Sequence, residues 1–357
     1  MKAVVTGATG FIGGALTRRL LDEGWSVVAL GRRAQGLPPG VAHVAWALGS
    51  VVPSQALEGV DVVFHLAARV GDWGKAEDYE RENVRATAQL LEASEQARVG
   101  AFVFTGSPSA FLGDADVVDA DESLEPPAVP LSAYAGSKLE ADALVRGHRG
   151  GTRTAVLRPH AVLGEGERHL GRLIDAFVLL GVLPRIAGSE PVISVTSIET
   201  CVEAHLCAAR RLLAGLPSGR AFFVADAPAI PLVQLLQAAI TERRGRSARE
   251  LEVPRTVASS LARFAEWFHA PFPWWPPIIN RYRVAMLSRS HSFRVERMVA
   301  ELGVRPRDAR VVAGLAQPRA RTIATMRASS SRSTSASSSN AGSFGSRNRA
   351  IDTRSSA

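Results

Sequence analysis

The chain is short of cysteine, lysine, tyrosine and long apolar runs, and the shortages of cysteine and of apolar runs each remove a class of protein. Only Cys201 and Cys207 occur in 357 residues, so there is no disulfide framework, and a reducing, cytoplasmic setting is the expectation. No apolar run approaches the length of about 18 residues that a membrane span needs. The opening MKAVVTGATG passes directly into strand-like sequence, so no cleaved leader is expected. The eight histidines are scattered, with no Cys or acid at ligand spacing, so no metal site is expected. The formal charge of +8 looks like a nucleic-acid signature, but its location argues otherwise. Between Pro318 and Ala357 stand seven Arg and one Asp, which leaves about +2 for the rest, and no nucleic-acid partner is expected for the folded body. That Ser/Arg-rich segment, residues 317–357, has too few apolar residues to offset the entropy of ordering and reads as a disordered tail.

What remains is a globular composition, 46% hydrophobic and 21% charged. Short apolar runs alternate with helix-like segments over the first 160 residues. KAVVTGA, WSVVALGR, VDVVFHLAA, GAFVFTGS and TRTAVLRPH read as strands; FIGGALTRRLLDEG, ending at Gly24, and YAGSKLEADALVRGH read as helices. Continuous apolar strands alternating with helices imply an α/β fold, a doubly wound parallel sheet of the Rossmann type. The expected division is a dinucleotide-binding domain over 1–160, with later strands returning from about 190–226, and a smaller mixed substrate domain over 161–316.

TGATGFIG places Gly7, Gly10 and Gly13 between the first strand and the first helix. Gly7 permits the turn, Gly10 lets a pyrophosphate approach the backbone, and Gly13 lets helix and strand pack closely. Thr6, Phe11 and Ile12 belong to the same loop. The second strand ends in ALGRRAQ, where an acid would bind the ribose 2′-hydroxyl of NAD. Arg32 and Arg33 instead suit a 2′-phosphate, which favours NADP, with NAD as the alternative.

Tyr134 and Lys138 stand in YAGSK, in a chain with only three Tyr and three Lys. On a helix, residues four apart share a face. A neighbouring ammonium would lower the phenol's pKa, so that Tyr134 could exchange a proton with a substrate oxygen while hydride moves. The loop in FVFTGSPSAF offers Ser107, with Ser109 as runner-up, to hold that oxygen. With these elements the chain resembles the extended short-chain dehydrogenase/reductase superfamily (the NAD-dependent epimerase/dehydratase family). HLAARVGDWG, ENVRAT, FTGSPSAF, VLRPHAVLGEGERHLGRLI and ETCVEAHLCA resemble its bacterial 3β-hydroxysteroid dehydrogenase and 2-alkyl-3-oxoalkanoate reductase branch. The resemblance implies that Asn83 braces the site, that Ala67 and Ala68 border the cofactor, and that the backbone after Pro159 meets the nicotinamide amide. It implies oxidation or reduction of a secondary alcohol or ketone on a bulky apolar small molecule. A nucleotide-sugar epimerase or dehydratase, or a non-enzymatic dinucleotide sensor, are the alternatives, and dimers are common in the family. Two departures stand out: Ala47 where the family has an acid near the adenine, and Gly106 where it commonly has Ser.

FAEWFHAPFPWWPPII concentrates Phe264, Trp267, Phe268, Phe272, Trp274 and Trp275. It has three readings: packing inside the small domain, a wall or lid for an apolar substrate, or a patch that touches a membrane surface. His160 and His169, near the expected cleft, read as structural or merely polar residues.

Overall fold

The computed structural model describes residues 1–167 and 169–315. The segment expected to be a disordered tail, 317–357, lies outside the described residues. Seven strands form one parallel sheet: β1 Lys2–Thr6, β2 Ser26–Gly31, β3 Ala42–Ala45, β4 Val62–His65, β5 Ala101–Thr105, β6 Arg153–Pro159 and β7 Arg220–Val224. Their order is β7-β6-β5-β4-β1-β2-β3. The strand order reverses beside β1, so the C-terminal ends of β1 and β4 open a crevice.

Helices cover both faces because the strands are apolar on both sides. On one face, Leu16 and Leu20 of α1 (Phe11–Asp22) and Ala204, Ala208 and Leu212 of α4 (Ile198–Leu213) pack on Val5, Phe64, Val103 and Leu157. On the other, Leu90 and Leu91 of α2 (Ala86–Gln96) and Ala141 and Val145 of α3 (Ala133–Gly147) pack on Val4, Val63, Phe102, Phe104 and Val156. Neighbouring residues of one strand serve opposite cores, which is the period of two made physical. α1 ends where Gly24 takes φ +75°, the left-handed turn that glycine adopts without a Cβ clash.

A second, mixed sheet is assembled from Val117–Ala120, Val192–Ser197, Asp226–Pro231 and His291–Phe293. Its core holds Ile174, Leu183, Ile193, Ile230, Leu235 and Ile240. A pair of parallel strands, Val182–Ile186 and Arg249–Val253, lies beside it, with helices α5 (Arg255–His269) and α6 (Arg281–Ser288). Among the described residues no helix is long and apolar enough to cross a membrane.

Arg158 on β6 is fully buried, and its guanidinium meets the buried Asp142 of α3 in a two-pronged ion pair, Nε–Oδ2 2.7 Å and Nη2–Oδ1 2.8 Å. The guanidinium also stacks 4.0 Å from the centroid of Phe111. This pair ties α3 to the sheet from the inside. Removing one partner strands the other charge away from water, so Asp142→Ala should destabilise the fold by about 3–5 kcal/mol in denaturant unfolding.

Burial also depresses four histidines. His65 falls to about 3, lowered by burial and then by the Lys138 charge, and His205 and His291 fall to about 4. His160 falls well below its ordinary value, by burial and then by His291. These groups are neutral in the fold and take up protons once exposed near pH 6.5. The unfolded chain therefore binds more protons between pH 6.5 and 4, and stability declines as pH falls through that window. The thermal midpoint at pH 5 should be several degrees lower than at pH 7.

Candidate active site

The crevice begins at the glycine loop. Gly7 has φ +71°, and a Cβ there would stand 3.0 Å from the amide nitrogen of Ala67. A Cβ on Gly13 would stand 2.1 Å from the Gly7 carbonyl oxygen, so α1 rests directly on the turn it follows. Gly10 is the N-cap and supplies no capping side chain, so the first-turn amides lack a side-chain acceptor. Gly10 is exposed, while Phe11 and Ile12 are half-buried. Arg32 and Arg33 follow β2, both exposed, and neither forms an ion pair among the described residues. At the turn near the expected adenine, Ser50 closes on Ala47, its hydroxyl donating to the Ala47 carbonyl at 2.7 Å.

Thr6 has an inward role. Its hydroxyl is buried, accepts from the amides of Leu66 and Ala67 at 3.0 Å each, and bonds His65 Nδ1 at 2.8 Å. It thereby pins Ala67 and Ala68, both half-buried, beside Gly7. Asn83 is buried and makes three bonds. Its Oδ1 accepts from the Arg69 amide at 2.7 Å, and its Nδ2 donates to the Arg69 carbonyl at 3.0 Å and to Ser137 Oγ at 2.9 Å. It joins the loop after β4 to the helix that carries Tyr134 and Lys138. Pro159 is buried at the end of β6, opposite Val224.

Ser132 caps α3, accepting from the Ala135 amide, and so sets Tyr134 in the first turn. Lys138 lies one turn on, buried, with its ammonium donating to the Thr105 carbonyl at 2.6 Å and 4.4 Å from the centroid of Phe104. The Ser107 hydroxyl acts on the Tyr134 phenol, and the Ser109 hydroxyl on the Tyr282 phenol of α6. Ser107 and Ser109 bond each other, Oγ to Oγ 2.7 Å. Four hydroxyls thus neighbour one another, and both serines considered from the sequence take part. The sequence reading missed Tyr282 and Tyr79. The Tyr79 ring meets Tyr134 edge-on at 6.3 Å, and its hydroxyl donates to the Gly71 carbonyl at 2.9 Å. The available signal was scarcity: all three tyrosines of the chain belong to one cluster.

One expectation is corrected. Lys138 does not lower the Tyr134 phenol in this state. Burial raises that phenol well above its ordinary value, the neighbouring phenols of Tyr282 and Tyr79 add to the rise, and the Ser107 hydrogen bond only partly opposes it. The ammonium faces the end of β5 instead, where burial lowers it to about 8 against the pull of Asp142. Gly106 is explained by space, because a Cβ there would stand 3.0 Å from Val156 Cγ1. His160 bonds His291, Nε2 to Nδ1 at 2.6 Å, as a buried structural pair, while the side chain of His169 lies outside the described residues. The aromatic segment does not pack inside the small domain: Trp267 and Trp274 are 73% and 77% exposed.

The model of the NAD dependent epimerase/dehydratase family matches residues 3–218, and the chain belongs to that family. It is similar to a 3-beta-hydroxysteroid dehydrogenase of Mycolicibacterium neoaurum, 26% identical over 85% of this chain and 87% of that one. A 2-alkyl-3-oxoalkanoate reductase of Shewanella oneidensis is 27% identical over 84% and 81%. Among solved structures, MoeE5 in complex with UDP-glucose and NAD superposes with TM-score 0.67 at 25% identity, over 88% of this chain and 97% of that one. Gox2253 superposes with TM-score 0.70 at 23% identity, over 92% and 98%. The chain is therefore a nicotinamide-dependent oxidoreductase of the extended short-chain type.

The Gly13 contact yields a direct test. Gly13→Val forces α1 away from the turn, and dinucleotide affinity measured by calorimetry should fall at least tenfold, while Gly24→Ala, remote from the crevice, should leave it unchanged.

Proposed function

We propose that the chain reduces a ketone on a bulky apolar molecule, a 3-ketosteroid or a long-chain β-keto acid, with NADPH as the reductant. The group of hydroxyls from Tyr134 to Tyr282, set beside a buried lysine at the end of β5, carries this reading. The glycine cradle fits a dinucleotide, since Gly7 and Gly13 have no room for side chains and the first turn of α1 lacks a side-chain cap. When bound, the dinucleotide supplies the hydride. Arg32 and Arg33 would face a 2′-phosphate, and Lys138 would hold the nicotinamide ribose.

This chain's own residues then handle the proton. Ser107 orients the substrate oxygen by hydrogen bonding. Tyr134 keeps its proton at neutral pH because its site is desolvated, so it is ready to donate to an oxygen that gains charge. Ser107, Ser109 and Tyr282 can pass a replacement proton within this group. Asn83 and the Asp142–Arg158 pair position α3 and do not touch the reacting atoms.

A second reading, a nucleotide-sugar epimerase, draws on the MoeE5 likeness. A sugar diphosphate needs cations at the mouth of the site. The two arginines flanking Tyr282 are already committed: Arg283 pairs with Asp72 at 2.6 Å, and Arg281 with Glu266 at 2.7 Å. This favours the apolar ketone.

Five measurements check the proposal. Purified protein with NADPH should oxidise it in the presence of 3-ketosteroids or 2-alkyl-3-oxoalkanoic acids; turnover of UDP-glucose alone would defeat it. Tyr134→Phe should cut kcat by about 10²–10⁴-fold with NADPH affinity retained. Tyr282→Phe should lower kcat several-fold and leave cofactor binding intact. Because the Lys138 ammonium is present below pH 8 and lost above it, kcat/KM for reduction should fall as pH rises past about 8. Arg32→Ala with Arg33→Ala should weaken NADPH at least tenfold and leave NADH unchanged.

A further inference from the structure

Helix α5 is built the wrong way round for a helix of a water-filled surface. Its inward positions are small, with Ala258 and Ala262 buried against Ile186 and Val284. Its outward positions are large and apolar. Val257, Leu261, Phe264 and Phe268 follow one another at i, i+4, i+7 and i+11, and are 50–59% exposed. The face continues into the Pro-rich turn, where Trp274 is 77% and Ile278 90% exposed. Water gains nothing from this arrangement, and so large an apolar surface marks a contact.

The charges indicate which contact. Arg255 and Arg263 are exposed on the same helix and form no ion pair among the described residues. The one acid of the helix, Glu266, is neutralised by Arg281. Exposed tryptophans and unpaired arginines on the same helix and turn as an apolar stripe suit a bilayer interface, where indoles lie at headgroup level and guanidiniums meet lipid phosphates. A second copy of the chain fits less well. A two-fold contact through this face would bring four unpaired guanidiniums together.

We propose that the apolar face of α5 and the turn through Ile278 dock on a lipid bilayer containing anionic headgroups, without spanning it. The docked face is tied to the active site. Trp73 Nε1 donates to the Phe272 carbonyl at 3.4 Å, and Arg283 grips Asp72, so the turn is anchored to the loop that Tyr79 holds beside Tyr134. Tyr282 stands four residues beyond Ile278. An apolar ketone dissolved in lipid would then reach the hydroxyls without crossing water. That last step rests on the proposed activity; docking itself does not.

Vesicle flotation of the full chain tests docking, with phosphatidylcholine alone and with phosphatidylcholine plus phosphatidylglycerol. The full chain should float with the anionic vesicles, and lipids brominated near the headgroup should quench its tryptophan fluorescence. The exposed triple change Phe264→Ser, Trp274→Ser and Trp275→Ser should weaken flotation at least tenfold with the thermal midpoint unchanged. Arg255→Gln with Arg263→Gln should weaken flotation severalfold while the chain stays folded. The Ser/Arg-rich terminal segment has no tryptophan and could bring the chain to anionic vesicles by charge alone. If the triple variant floats like the original chain and no quenching occurs, the proposal is overturned. It is equally overturned if sedimentation shows a dimer that the triple variant dissolves and neither protein floats. Failure of every ketone in the activity assay would leave these readouts untouched, so the two conclusions can fall separately.

Discussion

A guanidinium and a carboxylate, both withdrawn from water, hold the catalytic helix against the sheet. Arg158 reaches from β6 and Asp142 from α3, four residues beyond Lys138. With that pair in place, the Lys138 ammonium lies over the Phe104 ring and reaches the Thr105 carbonyl. Asn83 makes the matching connection on the other flank, from the loop after β4 to Ser137. The helix is thus fixed at two points on the C-terminal side of Tyr134, at Ser137 and Asp142. Position matters here because a phenol a fraction of an ångström out of line would transfer its proton poorly.

The same burial that fixes these groups sets their charge states. A desolvated phenol stays protonated, a desolvated ammonium is pulled toward neutrality, and buried imidazoles stay neutral. His65 feels Lys138 through the sheet, and Thr6 and Thr87 satisfy its two nitrogens at 2.8 and 3.0 Å. The hydrogen-bonded centre under the crevice therefore depends on neutral histidine, and acid stability and the geometry of the site share one cause.

Much of the large sheet was legible in the sequence. Strands such as VVFH and AFVFT are apolar at all but their last position because both of their faces are covered, and few other structures use such runs. Gly7 and Gly13 were legible because close backbone approach leaves no alternative to glycine, and Gly10 by its place in the same spacing. The second sheet was less so. It gathers strands from residues 117–120, 192–197, 226–231 and 291–293, and no local pattern announces which distant segments will pair. The outward face of α5 was equally hidden, since a helical stripe of Val, Leu and Phe reads the same whether it faces a core or the outside.

The order of residues determined that a glycine turn joins a strand to a helix, that Tyr134 and Lys138 share a helix face, and that no acid follows β2. These are consequences of spacing and residue type over a few turns of chain. Folding decided the rest: that Ser107 and Ser109 both enter the group of hydroxyls, that Tyr282 joins it from α6, and that Lys138 faces a carbonyl instead of the phenol. Those outcomes depend on how segments distant in the chain pack and exclude water. Desolvation is a property of that packing, so neither the contacts nor the proton affinities they set exist until the chain has closed around them.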